Sequence, residues 1–310
     1  MAFSASDAAF EGFRLTREKP VAILIWAAVY LVINLLMSLL LVGWAGEDLA
    51  AMRDISESAS PDPAQALAAA PGLAKLYAVT IPIGLVTSAL FTCAVFRAVL
   101  RPQQKGFGYL RFGADELRMI LLFIALFFIF LAVALAATIG MMIVAAVAGF
   151  AAGAAGGADA GGALGVMLGL LGMLSIFAAM IWIAVRLGLA GPMAFVEGRL
   201  DLPAAWRMTR GHFWGIFGAW FLAWVLAILV LLLGGAIFLA VAMATGGGIS
   251  SLQQMMNPDT TSFEAYLTPT FFVGAVFSAL LTALQYAIVV SPPAIIYRQL
   301  KGTTDAETFA

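Results

Sequence analysis

Long apolar runs alternate with short polar ones along the whole chain. Six runs, at residues 21–44, 76–100, 119–148, 163–185, 214–244 and 271–297, are each about twenty residues or longer and contain no Asp or Glu. A helix rises about 1.5 Å per residue, so about 20 such residues cross a hydrocarbon core of roughly 30 Å. Membrane β-strands would instead show segments of about ten residues alternating in polarity. The runs here are continuous, which predicts six transmembrane helices. The third and fifth exceed what a bilayer requires and predict tilt or extension beyond it.

The polar connections set an orientation. Fourteen of the sixteen Lys and Arg fall in the N-terminal tail, the second and fourth connections, and the C-terminal tail; only Arg53 and Lys75 lie on the other side. Basic residues stay in the cytoplasm, so both termini are expected there. Residues 45–75, rich in Ala, Asp, Glu, Ser and Pro, then form an extracytoplasmic loop with room for one short helix, and 298–310 a cytoplasmic tail. The fold class predicted is an all-α polytopic membrane protein, a single domain over 1–310 with six helices arranged as three hairpins.

Composition supports this and excludes much else. Hydrophobic residues are 63% and charged residues 11%, and mean hydropathy is +1.03, too few charges to coat a soluble globule. A net charge of −1 gives no general nucleic-acid footprint. The single cysteine, Cys93, cannot form an intramolecular disulfide and is expected to pack as a small hydrophobe. The single histidine, His212, excludes a His-rich metal site. Asp7, Glu11 and Glu18 before the first run do not fit a cleaved signal peptide, so that run is expected to remain in the mature protein.

A repeat lies beneath the hydropathy. Phe13-Arg14-Leu15-Thr16-Arg17 precedes the first run, and Trp206-Arg207-Met208-Thr209-Arg210 precedes the fifth, each with three residues between. Both copies read as short amphipathic helices on the cytoplasmic face, over 1–20 and 201–213. Asp201 can cap the second, with Pro203 in its first turn. Leu202, Ala205, Trp206, Thr209 and Phe213 share one face, leaving Arg207 and Arg210 toward headgroups. Ser4 with Asp7 resembles a capping box for the first, followed by Phe10 and Phe13. Residues 108–118, with Tyr109, Phe112 and Leu117 beside Arg111 and Arg118, read as a diverged third copy. Arg14, Arg17, Trp206, Arg207 and Arg210 are therefore candidate contacts for anionic lipid headgroups, a protein partner or a second copy of the chain. The simpler alternative is that they only anchor helices at the interface.

At this point a resemblance emerges. Trp206-Arg207-Met208-Thr209-Arg210-Gly211-His212-Phe213-Trp214, following the turn Val196-Glu197-Gly198-Arg199, resembles the bacterial glycerophosphoryl diester phosphodiesterase membrane-domain family, and the N-terminal motif fits as well. The likeness spans nearly the whole chain through short motifs, and implies a multi-pass protein of the bacterial inner membrane. In that family a six-span region precedes a soluble barrel whose catalysis uses histidines and metal-binding carboxylates. Here the chain ends thirteen residues after Tyr297 and holds one histidine, so the resemblance implies the membrane module alone and transfers no catalytic residue.

Among candidate chemistry, Arg186 is the most conspicuous. A charge within an apolar stretch is costly and often functional, which makes Arg186 a candidate contact for a buried partner or a lipid phosphate, although a helix ending at Gly191-Pro192 would let it snorkel to headgroups. Glycines at 149, 153, 157, 161, 165 and 169 recur every four residues; the Ala/Gly composition of 151–163 predicts a turn through about 162, leaving Gly165 and Gly169 as packing positions. Pro82, Pro292 and Pro293 are expected to kink or end their spans. No phosphate-cradling loop, zinc-protease helix or nucleophile elbow occurs, and no span holds a carboxylate for a proton relay. No catalytic, cofactor-binding or metal-binding residue is assigned. The expectation is a non-enzymatic scaffold, regulatory or assembly module. The alternatives are a channel or carrier for a lipid-like solute, and a membrane partner of a separate phosphodiesterase.

Overall fold

The structure, a computed structural model, describes residues 4–57, 63–104, 106–154, 158–244, 259–260 and 262–308. Every regular element among them is helical: α1 (Ala5–Glu18), α2 (Pro20–Glu57), α3 (Pro63–Leu100), a 3₁₀ turn (Phe107–Tyr109), α4 (Ala114–Ala154), α5 (Ala158–Leu187), α6 (Ala190–Glu197), α7 (Leu202–Met208), α8 (Phe213–Ala244), α9 (Phe263–Tyr266) and α10 (Pro269–Thr308). Six of these segments are long and apolar enough to span a membrane. The chain is an all-α polytopic membrane protein.

The helices run past the apolar runs that predicted them. Residues 45–75 are largely the continuations of α2 and α3 rather than a loop with one short helix. The apolar run ends where charge begins, but Glu, Asp, Leu, Ala, Met and Arg are adequate helix formers, and an established helix propagates without a new nucleus. The expected turn over 151–163 shrinks for the same reason. Helix α4 reaches Ala154 and α5 starts at Ala158, and the glycine at 157 lies outside the described residues. Pro82, Pro292 and Pro293 stay within continuous helices. The break near Arg186 falls at Gly188, not at Gly191-Pro192; Pro192 sits in the first turn of α6, where amide hydrogens have no partner inside the helix to lose. Residues 108–118 form no interfacial helix, only the 3₁₀ turn and the start of α4.

The chain divides into two units, Met1–Glu116 with Gly218–Ala310, and Leu117–Phe217. In the first, α2, α3 and α10 pack together and α1 lies along α10. Helix α3 is the inner member, with 50% of its apolar window buried against 22% and 33% in α2 and α10. Rings bridge the three: Tyr30 to Phe91 at 6.2 Å and Phe91 to Tyr286 at 5.2 Å. Lipid is as apolar as leucine, so small residues that bring backbones together matter more here than apolar bulk. Helix α1 shows this, burying Ala8, Ala9, Gly12 and Leu15. A methyl on Gly12 would lie 2.7 Å from the Ala287 carbonyl carbon and nearer still to Ile288 Cα. At the other end, α9 packs on α2, with the Tyr266 hydroxyl 3.2 Å from Ser38 Oγ.

In the second unit, α7 packs on α5 and α6. The outward faces of α4 and α5 are apolar, with only 11% and 6% of their windows buried. Hydroxyls on these and other helices satisfy themselves by donating four residues back, as Thr138 does to Ala134 O and Ser175 to Leu171 O. That suits surfaces with no water nearby.

Candidate functional site

Two arginines organise the polar chemistry. The first, Arg97, ends α3 and is 2% exposed. Its Nη1 donates to the Tyr109 carbonyl at 2.6 Å, and its Nη2 to Glu116 Oε1 at 2.5 Å. Asp115 lies 3.8 Å from Arg97 and 3.7 Å from Arg101. Both acids sit in the first turn of α4, where the helix dipole also favours negative charge. The 3₁₀ turn is thereby fastened to α3. The Trp26 indole donates to Gly108 O, Lys19 donates to Ala98 O at 2.7 Å, and the Lys19 ammonium lies 4.6 Å from the Tyr109 ring centre. Gly108 has φ of 56°, and a methyl there would meet Ile25 Cγ2 at 2.8 Å, so geometry and space both require glycine. The cluster is a buried clamp on the connection between α3 and α4. Glu116 Oε2 remains buried without a hydrogen-bond donor.

The second, Arg186, lies in the last turn of α5. Trp182 precedes it by one helical turn on the same face, and Trp206 approaches from α7. The guanidinium carbon is 5.6 Å and 5.7 Å from the two ring centres, and the rings stand 5.0 Å apart at 86°. Thr209 donates to the Arg186 carbonyl at 3.1 Å, satisfying one of the carbonyls that a helix end leaves unpaired. The Nε and Nη1 of Arg186 are enclosed and have no acceptor, a state that costs a charged group more than the roughly 1–3 kcal/mol of a neutral one.

The other residues singled out from the sequence divide between the two units. In α1, Arg14 Nη2 pairs with Glu11 Oε2 at 2.5 Å, and Arg17 is exposed. Burial raises the Glu11 carboxyl above its ordinary value; Arg14, by hydrogen bond and charge, and the charge of Arg298 pull it partly back. Phe10 and Phe13 face outward, 50% and 36% exposed. The Ser4 hydroxyl accepts from the Asp7 amide. In α7, Asp201 Oδ1 accepts from the Ala204 amide at 2.8 Å, Ala205 and Thr209 are buried, Trp206 is half-buried, and Arg207 and Arg210 are exposed. The motif is thus used differently in its two copies: Leu15 is buried where Met208 is not, and Thr16 donates to its own helix at Gly12 O where Thr209 bridges to α5.

The sequence did not single out Glu11, Arg97, Tyr109 or Glu116 as site residues. Arg97 and Glu116 stand 19 residues apart on opposite sides of a connection, and only the fold reveals them as a pair. A groove of about 250 Å³ between α8 and α10, lined by Trp224, Ile228, Thr282, Gln285 and Tyr286, completes the candidate surfaces. Compared with protein-family models, curated proteins and solved structures, the chain matches none.

Proposed function

We propose that this is a non-enzymatic membrane scaffold, whose short packed helices α1 and α7 are presented to anionic lipid and to a protein partner or second copy. The observation that carries the reading is the seating of α1 on α10 through Gly12, with Phe10, Phe13 and Arg17 turned outward. A helix serving only as an interfacial float has no use for a backbone-to-backbone seat. Here the small-residue face is taken up by the bundle, and an aromatic, basic face of fixed geometry is left for something else. The chain released in native-lipid particles is expected to carry a stoichiometric partner or to self-associate, by light scattering and mass spectrometry. Phe10→Ala with Phe13→Ala should abolish that association. A bare monomer in both preparations would overturn the reading.

The distribution of basic residues supports placing the short helices on the cytoplasmic side, and the family resemblance alone points to a bacterial inner membrane. Cysteines introduced at Ala51 and Gly302, both exposed, test the orientation. An impermeant maleimide should reach the first in intact cells and the second only after permeabilisation. Internal duplication accords with part of the packing: α7 rests on α5 and α1 on α10, each the second helix of a hairpin, while the 3₁₀ turn lies against both α2 and α3.

A second reading, a carrier for a lipid-like solute, is favoured by the groove between α8 and α10. Its apolar walls carry Thr282, Gln285 and Tyr286 as the few polar groups that would orient an amphipath. Flux in liposomes unchanged by Gln285→Leu would remove its support.

A further inference from the structure

Three arginines occupy comparable places. Arg97, Arg186 and Arg298 each follow a buried apolar residue, Phe96, Val185 and Tyr297, on the second helix of a hairpin. Each of those helices also carries a short segment packed against it. At the first, Glu116 at the start of α4 contacts Arg97 directly. At another, Arg298 donates to Val99 O at 3.3 Å. At Arg186, the neighbouring segment offers Trp206 instead of an acid. Arg186 has no carboxylate partner among the described residues, and two of its nitrogens are enclosed without an acceptor.

An uncompensated guanidinium in an apolar setting is costly, and removing the partner of a buried charge leaves a larger penalty than replacing the pair. The flanking indoles offset part of this through their π faces, but a ring face cannot match an oxyanion as an acceptor for coplanar N–H groups. What is missing is one negative charge with two or more acceptor oxygens. Its route in is also defined. Trp182 is 43% exposed and lies on the outward apolar face of α5, so the open side of the site continues onto an apolar helix surface.

We propose that Arg186, between Trp182 and Trp206, binds the phosphate of an anionic phospholipid. The headgroup supplies to Arg186 the charge that Glu116 supplies to Arg97. Seating the phosphate parts the two indoles by rotation of the more exposed Trp182 and joins α5 to α7 beside the Thr209 bridge. The site stands whether or not the chain assembles with a partner, so a monomeric protein leaves it untouched.

The test is native mass spectrometry of the purified full chain, delipidated and then titrated with phosphatidylglycerol, with phosphatidylcholine, or with inorganic phosphate. The expected result is one retained phosphatidylglycerol, with Arg186→Gln weakening retention at least about tenfold, the equivalent of a lost charge-assisted hydrogen bond. Lys75→Gln, an exposed control on α3 away from the short helices, should retain it as the unaltered chain does. If Arg186→Gln does not fold, Arg186→Lys keeps the charge while losing the planar fork, and should still weaken retention. Equal retention by the unaltered chain and both Arg186 variants would overturn the proposal. Equal retention of phosphatidylcholine would overturn its demand for net charge. Occupancy by inorganic phosphate to the exclusion of lipid would overturn the source assigned.

Discussion

Glu11 is the residue whose ionisation the structure most directly exposes to test. Burial against α10 holds its carboxyl above the ordinary value, so the docked state of α1 favours the protonated form. Docking is then strongest below the ordinary carboxylate range and weakens as pH rises through the raised value. Protection factors of the α1 amides, taken relative to the intrinsic base-catalysed exchange rate, are expected to fall as pH rises through the raised value, and Glu11→Gln should flatten that trend while keeping the helix docked. The Arg97–Glu116 pair yields a different signature. Arg97→Met leaves a buried carboxylate without its partner and should cost about 3–5 kcal/mol in thermal or denaturant unfolding in detergent. Adding Glu116→Leu should recover most of that loss, because burying two apolar groups is far cheaper than burying one charge. Recovery should fall short of complete, since the Tyr109 carbonyl still loses its donor.

Among the elements, α1 is where sequence and structure part most instructively. The motif around Arg14 and Thr16, and the Ser4 cap, were legible because capping and charge placement are local. Which face turns inward was not. Aromatic residues suggest a buried or lipid face by their bulk, yet Phe10 and Phe13 look outward and the bundle takes Ala8 and Gly12. That choice depends on α10, 275 residues further on, offering the smooth backbone at Ala287 and Ile288. Gly12→Ala is therefore expected to loosen α1, at a cost of about 1–3 kcal/mol from overpacking, and Gly12→Leu to expel it. Proteolysis or exchange confined to residues 5–18 would register either. The helix ends were misjudged for a related reason. Hydropathy reports where lipid covers a helix, whereas backbone hydrogen bonding decides where the helix stops, and α2, α3, α4 and α5 all continue past their apolar runs.

On the scale of the whole molecule, six continuous apolar runs were enough to predict six spanning helices, because a bilayer leaves a chain few other options. The candidate sites were legible only in part. Arg186 stood out as a charge amid apolar residues, but its tryptophan neighbours come one from its own helix and one from α7, across the α6 insertion. Arg97 looked like an ordinary basic residue at a helix end; nothing in its own segment discloses that it is sealed from solvent. Sparse charge makes such sites hard to trace from sequence, since each polar side chain has few partners: Tyr109 and Glu116 lie 12 and 19 residues from Arg97, and Arg186 meets aromatic rings.

The seat of α1 on α10 also has a consequence in time. The ribosome makes α1 well before its receiving surface, with Ile288 lying 276 positions after Gly12. At about 5–20 residues per second that interval is roughly 14–55 s. Until α10 emerges, the small-residue face of α1 has nothing to rest on, so the first unit closes only after α10 has been made. Docking of α1 is thus a checkpoint on translation through α10. A chain stopped before α10 should display an undocked amino-terminal helix, open to membrane quality-control proteases, and a pulse-chase should show it degraded faster than the finished protein.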